Sequence, residues 1–407
     1  MRLLLALLFL VSSAQAARLV ELESPAGPGS LAPSLVALDE RRAVLAWLEV
    51  VDAGHALRFS MFDGERFGEV SEIARGDDWF ANWADMPAIH ILPNGDWLAH
   101  WLVKSGPATY AYDIVMARSS DEGGSWSEVF SPHDDGTLTE HGFVSYFDWD
   151  DERAGVAWLD GRETAGAGAD DGHANGHGHH HGAGAMTLRF AAIGPQGEVT
   201  DPVLLDPRVC DCCQTAAAMT AEGPVVIYRG RDEGEVRDIR LVRFSNGQWS
   251  RPVVLHDDGW QIGGCPVNGP ALIADGSRVL AAWFTMAGGR PRVRVALSED
   301  AGRDFELLET LGEGSALGRV DLSWLDGEFV VSWMNQGDDG AQLMLSHFSS
   351  DGGHQQSVPM ARTDPARISG FPRLLRLESQ LLLLAWTEPG ADRRPAVRVA
   401  LLEFDGH

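Results

Sequence analysis

A chain of 407 residues with 59 acidic and 32 basic side chains carries a formal charge of −27, and Lys104 is its only lysine. This balance excludes a nucleic-acid partner held on a basic face, and a single amine leaves little room for Schiff-base chemistry. An acidic surface suits solubility and attracts cations without naming any.

The chain opens as an export signal. Arg2 supplies the positive charge, Leu3 to Val11 an apolar run and Ala14-Gln15-Ala16 a small-residue cleavage site, which together read as a signal peptide over 1–16. The run is too short to span a bilayer, and no later stretch reaches the required length. No cysteine follows the cleavage site, which argues against a lipid anchor. The mature chain is expected to be periplasmic or secreted, without a membrane span, in a compartment where disulfides persist. It is expected to act as a monomer.

From residue 17 onward one unit recurs. An apolar strand ending in an aromatic closes at Trp47, Trp101, Trp158, Tyr228, Trp283, Trp333 and Trp386. A shorter apolar strand precedes each copy, an alternating strand such as MTLRFAA or RVRVALS follows, and a weaker fourth often comes next, as in WSEVF, WSRPVVL and FELLETL. Short period-2 strands between Gly and Asp turns, repeating near every fifty residues, are the pattern of a β-propeller. The reading is an all-β single domain over 17–407 with seven four-stranded blades, six being the alternative. The last unit lacks its fourth strand, while Arg18-Leu19-Val20-Glu21-Leu22 has no unit of its own. Pairing the two closes the ring and protects both edges.

Hairpins in a blade alternate between the two ends of the ring. Loops entering first strands therefore share an end with loops joining second to third strands. All four cysteines lie in such entry loops: Cys210, Cys212 and Cys213 before the fourth unit, and Cys265 before the fifth. They are expected to meet at one channel mouth. The same rule brings Asp85 and Met86, Glu140 and His141, Arg319 and Asp321, and Arg373 to that mouth. Two entry loops repeat one motif, His133-Asp134-Asp135-Gly136 and His256-Asp257-Asp258-Gly259, which reads as a polar turn with Asp capping its own backbone. An insertion over 163–185 in the third unit carries His173, His177, His179, His180 and His181 among Gly and Ala. Such a tract cannot bury a core, and its imidazole density suits divalent transition metals or is an incidental property of a solvated loop.

The thiols admit two readings. An even count in an exported chain fits two disulfides, with the adjacent Cys212 and Cys213 either bridged to one another or bonded to different partners. Alternatively the sulfurs form a thiolate site for a transition metal, copper(I) foremost and zinc second, with Met86 or His141 completing the shell. The spacing C-x-C-C is not that of structural zinc sites. One bridge beside a two-thiolate site would satisfy both readings.

Ser119-Ser120-Asp121-Glu122-Gly123-Gly124-Ser125-Trp126 matches the Asp-box pattern, with a weaker copy at Ser298-Glu299-Asp300-Ala301-Gly302-Arg303-Asp304-Phe305 and a fragment at Ser349-Ser350-Asp351-Gly352-Gly353. In this the chain resembles the sialidase-like propellers. The resemblance implies the propeller fold over most of the mature chain and raises an exo-glycosidase alternative. Those enzymes use an arginine cluster for a substrate carboxylate, a Tyr–Glu nucleophile pair and an Asp acid/base. Arg229, Arg319, Arg373, Tyr112 and Glu140 are the residues available for such roles. The family's arginine-bearing segment near the chain start is absent: Leu31-Ala32-Pro33-Ser34-Leu35 stands in the corresponding first strand. A third reading is a carbohydrate- or protein-binding scaffold with structural disulfides.

Overall fold

The structure, a computed structural model, describes residues 17–166, 184–390 and 394–404. The signal segment and the histidines from His173 to His181 lie outside the described residues. No described helix is long and apolar enough to cross a membrane.

Seven antiparallel sheets form the seven blades of a propeller. Their inner strands are Ser30–Ala37, Ala88–Ile91, His141–Asp148, Ala216–Thr220, Ala271–Asp275, Ala316–Leu325 and Arg373–Arg376. The second strands bear the repeated aromatic, and all seven of these side chains are buried. Each is wedged between neighbouring sheets, so the recurring residue is the inter-blade core; burial of one such ring contributes about 2 kcal/mol. Arg18–Leu22 pairs with Pro395–Glu403 in register Arg18↔Glu403, closing the ring in the seventh blade.

Outer strands depart from regularity where proline intervenes. WSRPVVL splits into Gln248–Trp249 and Val253–Val254 around Pro252, which offers no N–H to the ladder. WSEVF, expected as a fourth strand, contributes only one bridge, Met116↔Phe130. The second blade is thus three strands plus that bridge. At the turns after third strands, Asp121 accepts from Ser119 Oγ (2.8 Å), Ser125 N (2.8 Å) and Ser125 Oγ (2.7 Å), with Gly123 at φ 81°. Asp300 repeats the pattern, taking Ser298 Oγ at 2.7 Å and Asp304 N at 3.0 Å.

One backbone feature shapes the opposite end. Ala32, Phe143, Val267 and Arg319, each at the entry to an inner strand, hold positive φ (54°, 54°, 48° and 55°). Non-glycine residues adopt this region rarely and at a cost of order 1–3 kcal/mol. At Phe143 and Arg319 it turns the residue's own amide toward the adjacent blade. Phe143 N donates to Asp85 Oδ1 (2.7 Å), Arg319 N to Asn268 Oδ1 (2.8 Å), and Leu374 N to Asp321 Oδ2 (2.8 Å). The entry loops are therefore stitched blade to blade around the mouth.

Candidate functional site

The cysteine loop is held on all sides. Cys210 N donates to Arg229 O (3.0 Å), Gln214 Nε2 to Ala84 O (2.6 Å), and Gly269 N to Gln214 Oε1 (2.9 Å). Gln214 thus joins the fourth blade to the fifth and to the second across the opening. Thr215 Oγ1 donates to Phe143 O at 2.8 Å and contacts Ser145 Oγ at 2.9 Å.

Within this frame Cys210 Sγ lies 3.6 Å from Cys213 Sγ and 3.9 Å from Cys212 Sγ, and the three sulfurs are mutually within 4.8 Å. Cys210 and Cys213 are buried, Cys212 is half-buried, and none of the four cysteines is bonded to another. Cys265 is exposed at the rim, near enough to Cys212 to raise its thiol, and the Gly269–Gln214 bond shows that the entry loops of the fourth and fifth blades meet. Arg237 Nη1 donates to Cys210 Sγ at 3.2 Å from a fully buried position. Burial alone would raise the Cys210 thiol, but hydrogen bonds from Cys212 and Cys213 and the Arg237 charge outweigh it and hold Cys210 well below the ordinary range. Burial and donation to Cys210 push Cys212 up, and Cys213 likewise. The arrangement favours ionisation at Cys210 over its two neighbours. Asp211, Glu235 and Arg231 ring it: Arg231 bridges Asp211 (3.2 Å) and Glu235 (2.8 Å), and Glu235 also pairs with Arg237 (2.8 Å).

Beside the thiols, in the second and third blades, Tyr112 Oη contacts Glu140 Oε1 (2.7 Å) and Asp85 Oδ2 (3.0 Å). A phenol has one proton, so one of the two carboxyls must carry another. Burial raises Asp85 to about 7, lowered in part by the Phe143 amide and Tyr112. Burial, and the nearby Asp85 charge, also raise Glu140 well above its usual range. Tyr112 itself is fully buried and stacked on Phe80 with ring centroids 4.0 Å apart. Its hydroxyl is sealed from the channel.

The remaining sequence candidates are dispersed. His141 joins carboxylates rather than sulfur: Asp113 at 3.2 Å, Asp135 at 3.2 Å and Asp160 at 3.7 Å, with its ring stacked on His133 at 4.0 Å. Met86 Sδ takes Arg373 Nη2 at 3.8 Å. Arg229 is spent on backbone carbonyls of Asn268, Arg237 and Phe284 and lies 4.8 Å over Trp260. Arg319 donates to Pro365 O (3.2 Å) and Ala366 O (3.0 Å) and covers Trp83. These two arginines tie blades together. Arg237, the thiolate's partner, was not singled out, because nothing in its local sequence points it at a cysteine 27 positions earlier. The same holds for Asp113 and Asp160, each placed in a strand pattern. The His133 turn does cap itself, Asp135 Oδ1 accepting from Thr137 N (3.1 Å), but it also reaches His141.

No family model matches the chain, and no curated protein matches it. Among solved structures it is similar to a protein of unknown function from Dyadobacter fermentans, with 13% identity over 96% of this chain and 98% of that one and a TM-score of 0.53. It is also similar to the BP39L lectin from Burkholderia pseudomallei, with 11% identity over 93% and 99% and a TM-score of 0.61. A third is the polysaccharide lyase Uly1, with 8% identity over 91% and 90% and a TM-score of 0.54. At such identities the likeness is one of architecture: the chain shares a β-propeller fold with a lectin and a polysaccharide lyase.

Proposed function

We propose that this propeller is an exported metal-binding protein that holds a soft transition cation, copper(I) before zinc, on Cys210, Cys212 and Cys213. The sulfur spacing carries the reading. With metal–sulfur bonds of 2.3 Å, two thiolates on one tetrahedral ion lie about 3.8 Å apart, against the 3.6 and 3.9 Å separations here. A disulfide needs about 2.05 Å. Soft sulfur donors select copper(I), which three sulfurs can hold, whereas Cys265 at the rim stands outside the group of three. Arg237 supplies a ready thiolate and, with Arg229 and Arg231 in the same neighbourhood, offsets the charge of further deprotonation. Binding should release protons from Cys212 and Cys213 and strengthen as pH rises.

The test is a competitive copper(I) titration of anaerobically isolated, untagged protein, with thiols counted in parallel. One tightly bound ion is expected, with ultraviolet thiolate–metal absorption that disappears in Cys210→Ser and Cys213→Ser. Isolation with no free thiols, or undiminished absorption in both variants, would overturn the reading.

A second reading, glycan recognition, is supported by the propeller fold shared with the BP39L lectin and the polysaccharide lyase Uly1. Because Tyr112 is sealed, the reading is one of binding before hydrolysis. Turnover of a fluorogenic sialoside by the parent protein would revive the glycosidase.

A further inference from the structure

Behind the mouth, between the second and third blades, His141 is fully buried with its two ring nitrogens differently placed. Nδ1 faces two acceptors, Tyr112 O at 3.4 Å and Asp113 Oδ1 at 3.2 Å. A proton on Nδ1 would point toward both. Nε2 is then a lone pair, and it too faces acceptors: Asp135 Oδ2 at 3.2 Å and Asp160 Oδ1 at 3.7 Å. Neither Nε2 nor Asp135 Oδ2 has a hydrogen-bond partner, although both atoms are inaccessible. Two facing acceptors in a desolvated site repel unless a proton or a metal cation lies between them, and a bound metal would displace the proton that otherwise charges His141.

The surroundings are those of a built ligand set. A ligating histidine commonly donates its other N–H to a carboxylate, which fixes the ring and raises its basicity; Asp113 stands in that position. Asp135 is oriented by Thr137 through Oδ1 (3.1 Å from the amide), and Asp160 by the Trp158 indole (2.8 Å) and Arg162 (2.7 Å). A cavity of about 270 Å³ lined by His133, Asp134, Trp158, Arg162 and Arg189 lies beside this cluster, on the far side of Arg162. Arg162, 3.2 Å from Asp135 Oδ2, would share the carboxylates with the ion from their outer side.

We infer that His141 Nε2, Asp135 and Asp160 form a second metal site, for a divalent cation of the borderline-to-hard class, independent of the cysteines. One nitrogen and two carboxylate oxygens suit manganese, iron(II) or zinc rather than copper(I).

Manganese(II) is the discriminating probe, since it sits at the weak-binding end of the divalent series and disfavours sulfur. The full chain, stripped of metal, is titrated with manganese(II) while the six-line spectrum of the free ion is followed by electron paramagnetic resonance. One bound equivalent is expected, with spin-echo modulation from a single imidazole nitrogen. Asp135→Asn and His141→Gln should abolish binding, and Asp113→Asn should weaken it about tenfold to a hundredfold. Asp258→Asn, in the twin turn, should leave it unchanged. Absence of a bound equivalent, absence of nitrogen modulation in the parent, or retention of binding by a folded Asp135→Asn variant would overturn the inference. Nitrogen modulation is read on the parent protein, so misfolding of a variant cannot obscure the result.

Discussion

The turns His133-Asp134-Asp135-Gly136 and His256-Asp257-Asp258-Gly259 carry the same four residues and end in different chemistry. Asp258 is saturated: Trp283 Nε1 donates to it at 2.7 Å, and Arg294 Nε approaches at 3.3 Å. Asp135 receives no indole. In the third blade the corresponding indole, Trp158 Nε1, donates instead to Asp160, two residues along its own strand (2.8 Å). The fifth blade has Thr285 at that place, so its indole must reach across to the turn. A single strand residue thus decides whether the turn's carboxylate closes a structural bond or is left facing His141. Identical motifs acquire different roles from what the neighbouring strand already satisfies.

The contrast can be broken by measurement. Asp258→Ala strips partners from a buried indole and from Arg294, and should cost about 3 kcal/mol by denaturant unfolding. Asp135→Ala, in metal-free protein, should cost about 1 kcal/mol, the value of its turn bonds. Equal costs would show that Asp135 is as fully committed as its twin.

A smaller effect is expected of the indoles. Trp283→Phe removes the donor that saturates Asp258 and should cost about 2 kcal/mol, whereas Asp160 keeps Arg162 when Trp158→Phe is made and should lose about 1 kcal/mol. Thermal midpoints of both variants in one buffer decide the order.

The smallest effect is one of pH, and it separates Asp135 from another carboxylate of the same two blades. Asp135 is held at about 2: burial opposes its charge, but hydrogen bonds from Thr137 and the His141 charge prevail. Its contribution is present above the unfolded value of 3.8 and is lost as pH falls toward 2. Asp85, raised by burial to about 7, behaves oppositely: its contribution is present below 3.8 and is lost as pH rises through 7. Thermal stability measured from pH 5 to 8 should therefore decline less steeply in Asp85→Asn than in the parent. Parallel profiles would exclude a buried neutral Asp85.

Much of the architecture was legible because propeller patterning is local. Alternation along each strand, an aromatic at each second-strand end and glycine at each turn repeat within a few residues, and they yield seven blades and the closure by Arg18–Leu22. The shared mouth followed from hairpin alternation alone, including the contact between the entry loops of the fourth and fifth blades. Side-chain aim was not legible. His141 stands two residues before Phe143, whose φ of 54° turns the entry to the strand, and no residue type announces a positive φ on phenylalanine. Arg229 and Arg319, which the sequence leaves available for a substrate carboxylate, donate to backbone carbonyls of neighbouring blades.

By itself, then, the sequence determined the repeat, the ring and the set of loops that crowd one end, since each depends on contacts between residues close in the chain. Only the tertiary structure decided which groups face one another there: Arg237 on Cys210 of the three-sulfur group, and His141 among Asp113, Asp135 and Asp160. Those groupings join loops and strands that are distant in sequence, and desolvation between packed blades is what makes their unpaired atoms consequential.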